Sequence, residues 1–234
     1  MKILSIIPAR GGSKSIPMKN IKSFCGKPLL AYSIEVALVS PSIDRVIVSS
    51  DHEKIIDVAI KYGAEAPFSR PEYLAKDNTP DLPVFIHCLD FLKENEGYEP
   101  DIIVQLRPTS PMRTTSMVEK GIKLLIQTPD ADSVRAVCNP SQNPYKMWMI
   151  QKDGFLKPLL DTDMDEAYNQ PRQNLPKVYW QNGYLDITRR STIYEKNSMT
   201  GDKIIPLLLD SNEIIDIDDM NTFRIAEEMA LNEL

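Results

Sequence analysis

The sequence predicts an α/β fold with a mostly parallel central sheet covered by helices on both faces. Three observations carry that prediction. Short apolar runs without polar alternation recur along the first two thirds of the chain, as strands buried on both faces require. Amphipathic segments of helical period lie between them. Polar and cationic residues then gather immediately after the apolar runs, where ligands of parallel sheets sit, beyond the strands' carboxyl ends.

The elements follow in order. Ile3 to Pro8 is an apolar run of strand length, and Pro28 to Val39 carries Leu29, Leu30, Ile34, Ala37 and Leu38 at helical spacing. Arg45 to Ser49 is a short buried strand. Glu53 to Tyr62 repeats the helical pattern through Ile55, Ile56, Val58, Ala59 and Ile60. Pro83 to Lys93 is the next helix, Ile102 to Leu106 a third strand, Met117 to Gln127 a helix and Ser133 to Cys138 a further strand. From about Pro140 prolines, asparagines and aromatics become frequent, and Met147 to Leu160 is expected as an irregular hairpin around Asp153-Gly154. The reading is a single domain over 1–234 with a protruding insertion at about 140–178, a form suited to dimerisation. Strand character returns at Val178 to Ile187, Ile204 to Leu209 and Ile214 to Ile217, and a helix from Asn221 to about Asn232 closes the chain.

Composition bounds the function. A net charge of −6 argues against a general nucleic-acid binder, which needs a basic face. No apolar stretch approaches the roughly 20 residues of a spanning helix, and no secretory signal is expected. The three cysteines are widely spaced and form no C-x-x-C pair, which reads as reduced thiols in a cytoplasmic protein. With two histidines, neither near a cysteine, zinc is not expected.

The most informative stretch follows the first strand. Arg10-Gly11-Gly12-Ser13-Lys14, with Lys19 and Asn20, joins two glycines, a hydroxyl and three cations. Glycines allow close backbone approach and present N–H groups while cations neutralise phosphate, so a polyanion is expected here. The spacing is neither that of a G-x-x-x-x-G-K-[ST] loop nor of G-x-G-x-x-G. A second element is Asp216-Ile217-Asp218. On a strand the two carboxylates project to one face and suit Mg²⁺, whereas Asp219 fits the N-terminus of the last helix. Gln105 to Arg113, containing Pro108-Thr109-Ser110-Pro111, is expected to point hydroxyl and guanidinium donors into a cleft. Asn169 to Gln173 and Trp180 to Gly183 offer amides and Arg172, which suit a carboxylate or hydroxyls or else loop structure. Arg70 to Asp77 is a loop long enough to cover a ligand. His52 and His87 read as a surface and a helix-face histidine, and the alternation of Met147, Trp148 and Met149 as packing or an interface.

Together these motifs resemble, in order and over essentially the whole chain, the cytidylyltransferases that activate acidic nine-carbon sugars, the CMP-sialic acid synthetases. The resemblance implies a Rossmann-like α/β nucleotidyltransferase fold, a homodimer formed through the protruding segment, CTP and Mg²⁺, and release of pyrophosphate. It implies that Arg10, Gly12, Ser13, Lys14, Lys19 and Asn20 handle the nucleotide, with Arg70, Ala75 and Asp77 lining its pocket. It further implies that Asp216 and Asp218 hold the metal, that Arg10, Lys14, Lys19 and Asp218 carry the catalysis, and that Arg107, Thr109, Ser110, Arg172, Gln173, Asn182 and Asp186 face the sugar. The chain departs from the family's usual pattern on that side. Arg107 stands where Gln is usual before Pro-Thr-Ser-Pro, and Asp186 where an aromatic often follows Asn-Gly. Ser15 replaces a common Gly. Two competing readings are a nucleotidyltransferase acting on a sugar phosphate, with Arg107 on that phosphate, and a nucleotide-binding regulator without catalysis.

Overall fold

In this computed structural model residues 1–211 and 214–232 are described. Strand β1 (Ile3–Pro8) runs into the basic loop, which leads to a short 3₁₀ turn at Lys19–Ile21 rather than to a helix. A minimal hairpin, β2 (Ser23–Phe24) and β3 (Lys27–Pro28), precedes helix α1 (Leu29–Val39). Then come β4 (Arg45–Ser49), α2 (Glu53–Lys61), α3 (Asp81–Glu96), β5 (Ile102–Gln105), α4 (Thr115–Gln127) and β6 (Ser133–Cys138). Next come β7 (Trp148–Ile150) and β8 (Leu156–Pro158), an antiparallel pair. The chain returns through β9 (Trp180–Arg189), α5 (Arg190–Glu195), β10 (Ile204–Leu208) and α6 (Met220–Asn232).

The main sheet has the order β10-β6-β9-β5-β1-β4. β1 pairs parallel with β4 and β5, and β10 parallel with β6. β9 lies antiparallel between β5 and β6, with an irregularity in register beside Arg135. Alternate residues of the strands feed two apolar layers. Ile3, Ile7, Val104 and Ile187 pack with α1, α2 and α4 through Ile34, Ile55 and Ile122. Leu4, Ile6 and Ile103 pack with α3 and α5 through Phe85, Leu89 and Ile193. A third cluster, Ile16, Phe24, Leu29, Ile217 and Phe223, binds α6 against the segment after the basic loop. This cluster brings the two ends of the chain together.

Two expectations are corrected. Ile214 to Ile217 is not a β-strand, because its backbone groups are used elsewhere: Ile217 N donates to Thr109 O at 2.9 Å, and Ile217 O accepts from Lys19 Nζ. Helix α3 begins two residues before Pro83. Proline is tolerated there because first-turn N–H groups have no partner within the helix.

Candidate active site

Ile217 is fully buried in the third cluster, so its side chain pins the segment and leaves Asp216 and Asp218 to either side of it. Lys19 reaches across 198 residues of sequence to donate to Ile217 O at 2.7 Å. Its ammonium feels both carboxylates. Burial lowers the Lys19 pKa, while Asp218 and Asp216 pull it back up. Asp216 is raised, first by burial, against the opposing pull of the Thr109 hydroxyl, and further by Asp218. One Asp216 oxygen, Oδ1, is buried without a hydrogen-bond partner among the described residues. A carboxylate oxygen withdrawn from water without a hydrogen bond, beside a second carboxylate, is a place that a hard divalent cation suits. The two carboxylates suit Mg²⁺, and among the described residues no third acidic, histidine or cysteine side chain joins them as a metal ligand.

Gly183 permits this arrangement. It has φ +70°, and a Cβ there would lie 3.3 Å from Asp216 Oδ2 and 3.7 Å from Arg107 Cδ. The glycines of the basic loop behave differently from expectation. Gly11 N–H donates to Asp51 Oδ1 at 2.9 Å, and a Cβ at Gly11 would meet His52 at 2.9 Å. Gly11 therefore seats the loop on the end of β4 and offers no N–H to a ligand. Gly12 is exposed, with open space around it. His52 in turn caps α2, its Nδ1 accepting from Lys54 N at 3.2 Å.

A cavity of about 290 Å³ opens beyond the carboxyl ends of β1 and β5. Arg10, Ser13, Lys19 and Asn20 line it from the basic loop. Asn20 is buried and fixes that loop, its Nδ2 donating to Arg10 O at 2.8 Å. From the facing loop come Arg70, Leu74 and Asp77. Arg70 is buried and donates to Ser49 Oγ at 3.0 Å and to Ser49 O, and burial draws its pKa down to about 10. Arg10 Nη1 bonds Asp77 Oδ1 at 2.8 Å and Ala75 O at 3.4 Å, and Lys14, at the rim, also pairs with Asp77. These cations hold Asp77 below the usual carboxylate range, Lys14 contributing most.

On the other side Arg107 and Thr109 reach the cavity, joined by Asp81 from the start of α3. Arg107 is engaged through both Nη atoms: Nη1 donates to Asp186 Oδ2 at 2.7 Å and Nη2 to Asp81 Oδ2 at 2.8 Å. Burial alone would lower its pKa, but the Asp186 and Asp81 carboxylates prevail and the net direction is upward. Asp186 is buried, its other oxygen taken by Arg135 Nε at 2.6 Å.

Several expected sugar-side residues stand elsewhere. Asp186 and Asn182 are buried on β9. The Asn182 Oδ1 accepts from Tyr184 N at 3.1 Å, so it shapes the turn around Gly183. Ser110 is buried in its loop rather than pointing into the cavity. Arg113 likewise turns inward, donating to Ser33 Oγ, Arg107 O and the Tyr184 carbonyl. Arg172 and Gln173 do not reach the cavity of their own chain: both are exposed, and Arg172 Nη2 donates to Pro140 O at 3.0 Å beside a second cavity. Sequence reasoning missed Asp51, Asp81 and Ser49 as individuals. Ser49 and Asp51 stand at the carboxyl end of β4, where ligands of parallel sheets sit.

Residues 4–200 match the cytidylyltransferase family. The chain belongs to that family. As a cytidylyltransferase it is a nucleotidyltransferase, and its relatives narrow the group. It is 35% identical, over 100% of this chain and 98% of the relative, to the CMP-N,N'-diacetyllegionaminic acid synthase of Legionella pneumophila. It is 34% identical, over 97% and 95%, to the pseudaminic acid cytidylyltransferase of Campylobacter jejuni. With the N-acylneuraminate cytidylyltransferase of Escherichia coli it shares 31% identity over 96% of this chain and 51% of that protein. Among solved structures, a CMP:2-keto-3-deoxy-manno-octonic acid synthetase complexed with CTP superposes with a TM-score of 0.74 at 16% identity, covering 100% of both chains. That likeness shows that this cytidylyltransferase has the same fold.

Proposed function

We propose that this cytidylyltransferase transfers CMP from CTP to the anomeric hydroxyl of a sialic-acid-like nonulosonic acid and releases pyrophosphate. The observation that carries the reading is the bond from Lys19 to Ile217 O, which ties a basic-loop cation to the segment that carries the two aspartates. Arg10, Lys14 and Lys19 neutralise the triphosphate, and Lys19 and Lys14 stabilise the charge that grows on departing pyrophosphate. Asn20 holds the Arg10 backbone, Ser13 donates from its hydroxyl, and Arg70 closes the base of the nucleotide pocket. Asp216 and Asp218 hold Mg²⁺, which neutralises phosphate oxygens when bound. A carboxylate of this pair is suited to take the proton of the attacking hydroxyl. Positioning and charge stabilisation are the sources of the rate enhancement.

The acceptor lies toward Thr109 and Arg107. A sugar phosphate is disfavoured there, because the Arg107 charge is already matched by two carboxylates, partly exposed Asp81 and buried Asp186. The protruding segment is proposed as the dimer contact. Ile150, Phe155 and Leu156 on its hairpin are 79%, 72% and 60% exposed, more apolar surface than a lone hairpin tip is expected to show water. Mass spectrometry of products from CTP incubated with Mg²⁺ and a panel of nonulosonic acids tests the function. A CMP-sugar with one acid and stoichiometric pyrophosphate is expected. Product only with sugar phosphates, or none with any acid, overturns it.

A further inference from the structure

The two rim cations proposed for phosphate are occupied by a carboxylate of the protein itself. Asp77 gives one oxygen to Arg10 Nη1, at 2.8 Å, and the other to Lys14 Nζ. Two oxygens of a phosphoryl group bind a pair of cations in the same manner. The loop that carries Asp77 is firm at its root, where buried Arg70 grips Ser49. Its tip is different: Lys76, Asp77 and Asn78 are exposed. Among the described residues that tip is tied to the basic loop by the two Asp77 ion pairs and by the 3.4 Å contact from Arg10 to Ala75 O. Exposed ion pairs are weak, so a ligand carrying more negative charge can replace them.

We infer that Asp77 is a placeholder for the triphosphate, holding Arg10 and Lys14 in the nucleotide-free protein and yielding them when a polyphosphate enters. The inference rests on the phosphate role proposed for those two cations. Asp77 is then a positioning residue that competes with the nucleotide for the two cations. The same exchange runs backwards after reaction. As pyrophosphate loosens, the carboxylate re-engages both cations and opposes rebinding.

The sign of one substitution decides the matter. Calorimetric titration of the full chain with inorganic tripolyphosphate compares wild type, Asp77→Asn and Glu72→Gln. Glu72 is an exposed carboxylate of the same loop that makes no ion pair among the described residues. Asp77→Asn is expected to bind roughly three- to tenfold tighter, the gain from no longer breaking two exposed pairs. Its KM for CTP and its inhibition constant for pyrophosphate fall in parallel. Glu72→Gln changes affinity by about twofold at most, the effect of one screened charge. In hydrogen exchange, wild-type amides at 72–79 speed up on adding tripolyphosphate while those at 10–14 slow down. Equal or weaker binding by Asp77→Asn overturns the inference, as does equal tightening by Glu72→Gln. Should Asp77→Asn fail to fold, an unchanged loop in the wild-type exchange experiment overturns it alone. No binding by any of the three proteins overturns instead the phosphate role of Arg10 and Lys14.

Discussion

Replacing Asp186 with alanine tests whether the proposed acceptor side is built on a buried charge network. The Asp186 side chain is 4% exposed and binds two guanidinium groups, Arg107 at 2.7 Å and Arg135 at 2.6 Å. Its removal forfeits two charge-assisted hydrogen bonds, each worth about 1.5–3 kcal/mol. Some of that loss is recovered, because Arg107 keeps Asp81, Arg135 keeps Gln181 at 3.0 Å, and both arginines retain partial access to water. A net cost of about 3 kcal/mol follows, within the range for breaking a buried pair. For a chain of this length that is a fall in Tm of roughly 6–12 °C. Urea and thermal denaturation followed by circular dichroism measure it, at low and at high salt. The loss should persist at high salt, since buried pairs are little screened. Adding Arg107→Ala to Asp186→Ala should cost much less than Arg107→Ala costs alone, because the partner is already gone. Stability within about 0.5 kcal/mol of wild type for Asp186→Ala would refute the network.

Further outcomes are expected. Asp218→Asn should abolish turnover, read as pyrophosphate release, while leaving Tm nearly unchanged because Asp218 is exposed; near-normal activity would remove it from the metal site. Gly183→Ala should reduce both activity and stability, since φ +70° strains any L side chain and its Cβ presses on Asp216 at 3.3 Å. Asp132 accepts from Lys196 Nζ and from the Asp202 and Lys203 N–H groups, which hold its pKa far below the ordinary carboxylate value. A depressed folded-state pKa gives stability that is present above the unfolded value and lost as pH falls toward the folded one. The stability of Asp132→Asn, followed by denaturation from pH 7 downward, should therefore fall less steeply below about pH 4 than that of wild type. A parallel decline in the two proteins would contradict the assignment.

The elements legible in the sequence were those whose periodicity is set by burial. Ile3–Pro8, Arg45–Ser49 and Ser133–Cys138 are strands, and the helices expected from periodicity fall within a few residues of α1, α2 and α4. The antiparallel course of β9 was not legible, because a strand buried on both faces looks the same in either direction. At the candidate site, local chemistry marked the basic loop, Arg70 to Asp77 and the two aspartates, and the structure draws these segments together at one end of the sheet. What escaped was pairing at long range. Arg107 reads as a free cation until Asp81 and Asp186, 26 and 79 residues away, are seen to hold it. Arg113 reads as a cleft donor until the fold places its three acceptors in the interior. The extended run at Ile214 to Ile217 looked like a strand because alternation records only which side chain is buried, here Ile217, and says nothing of where the backbone bonds go.

The most direct measurement of the central claim is a crystal structure with CTP and Mn²⁺, in which anomalous scattering locates the metal. The account predicts a peak between the Asp216 and Asp218 carboxylates, in contact with a triphosphate whose other oxygens meet Lys19 and Arg10. A nucleotide seated away from the basic loop, or a metal bound without either aspartate, would contradict it.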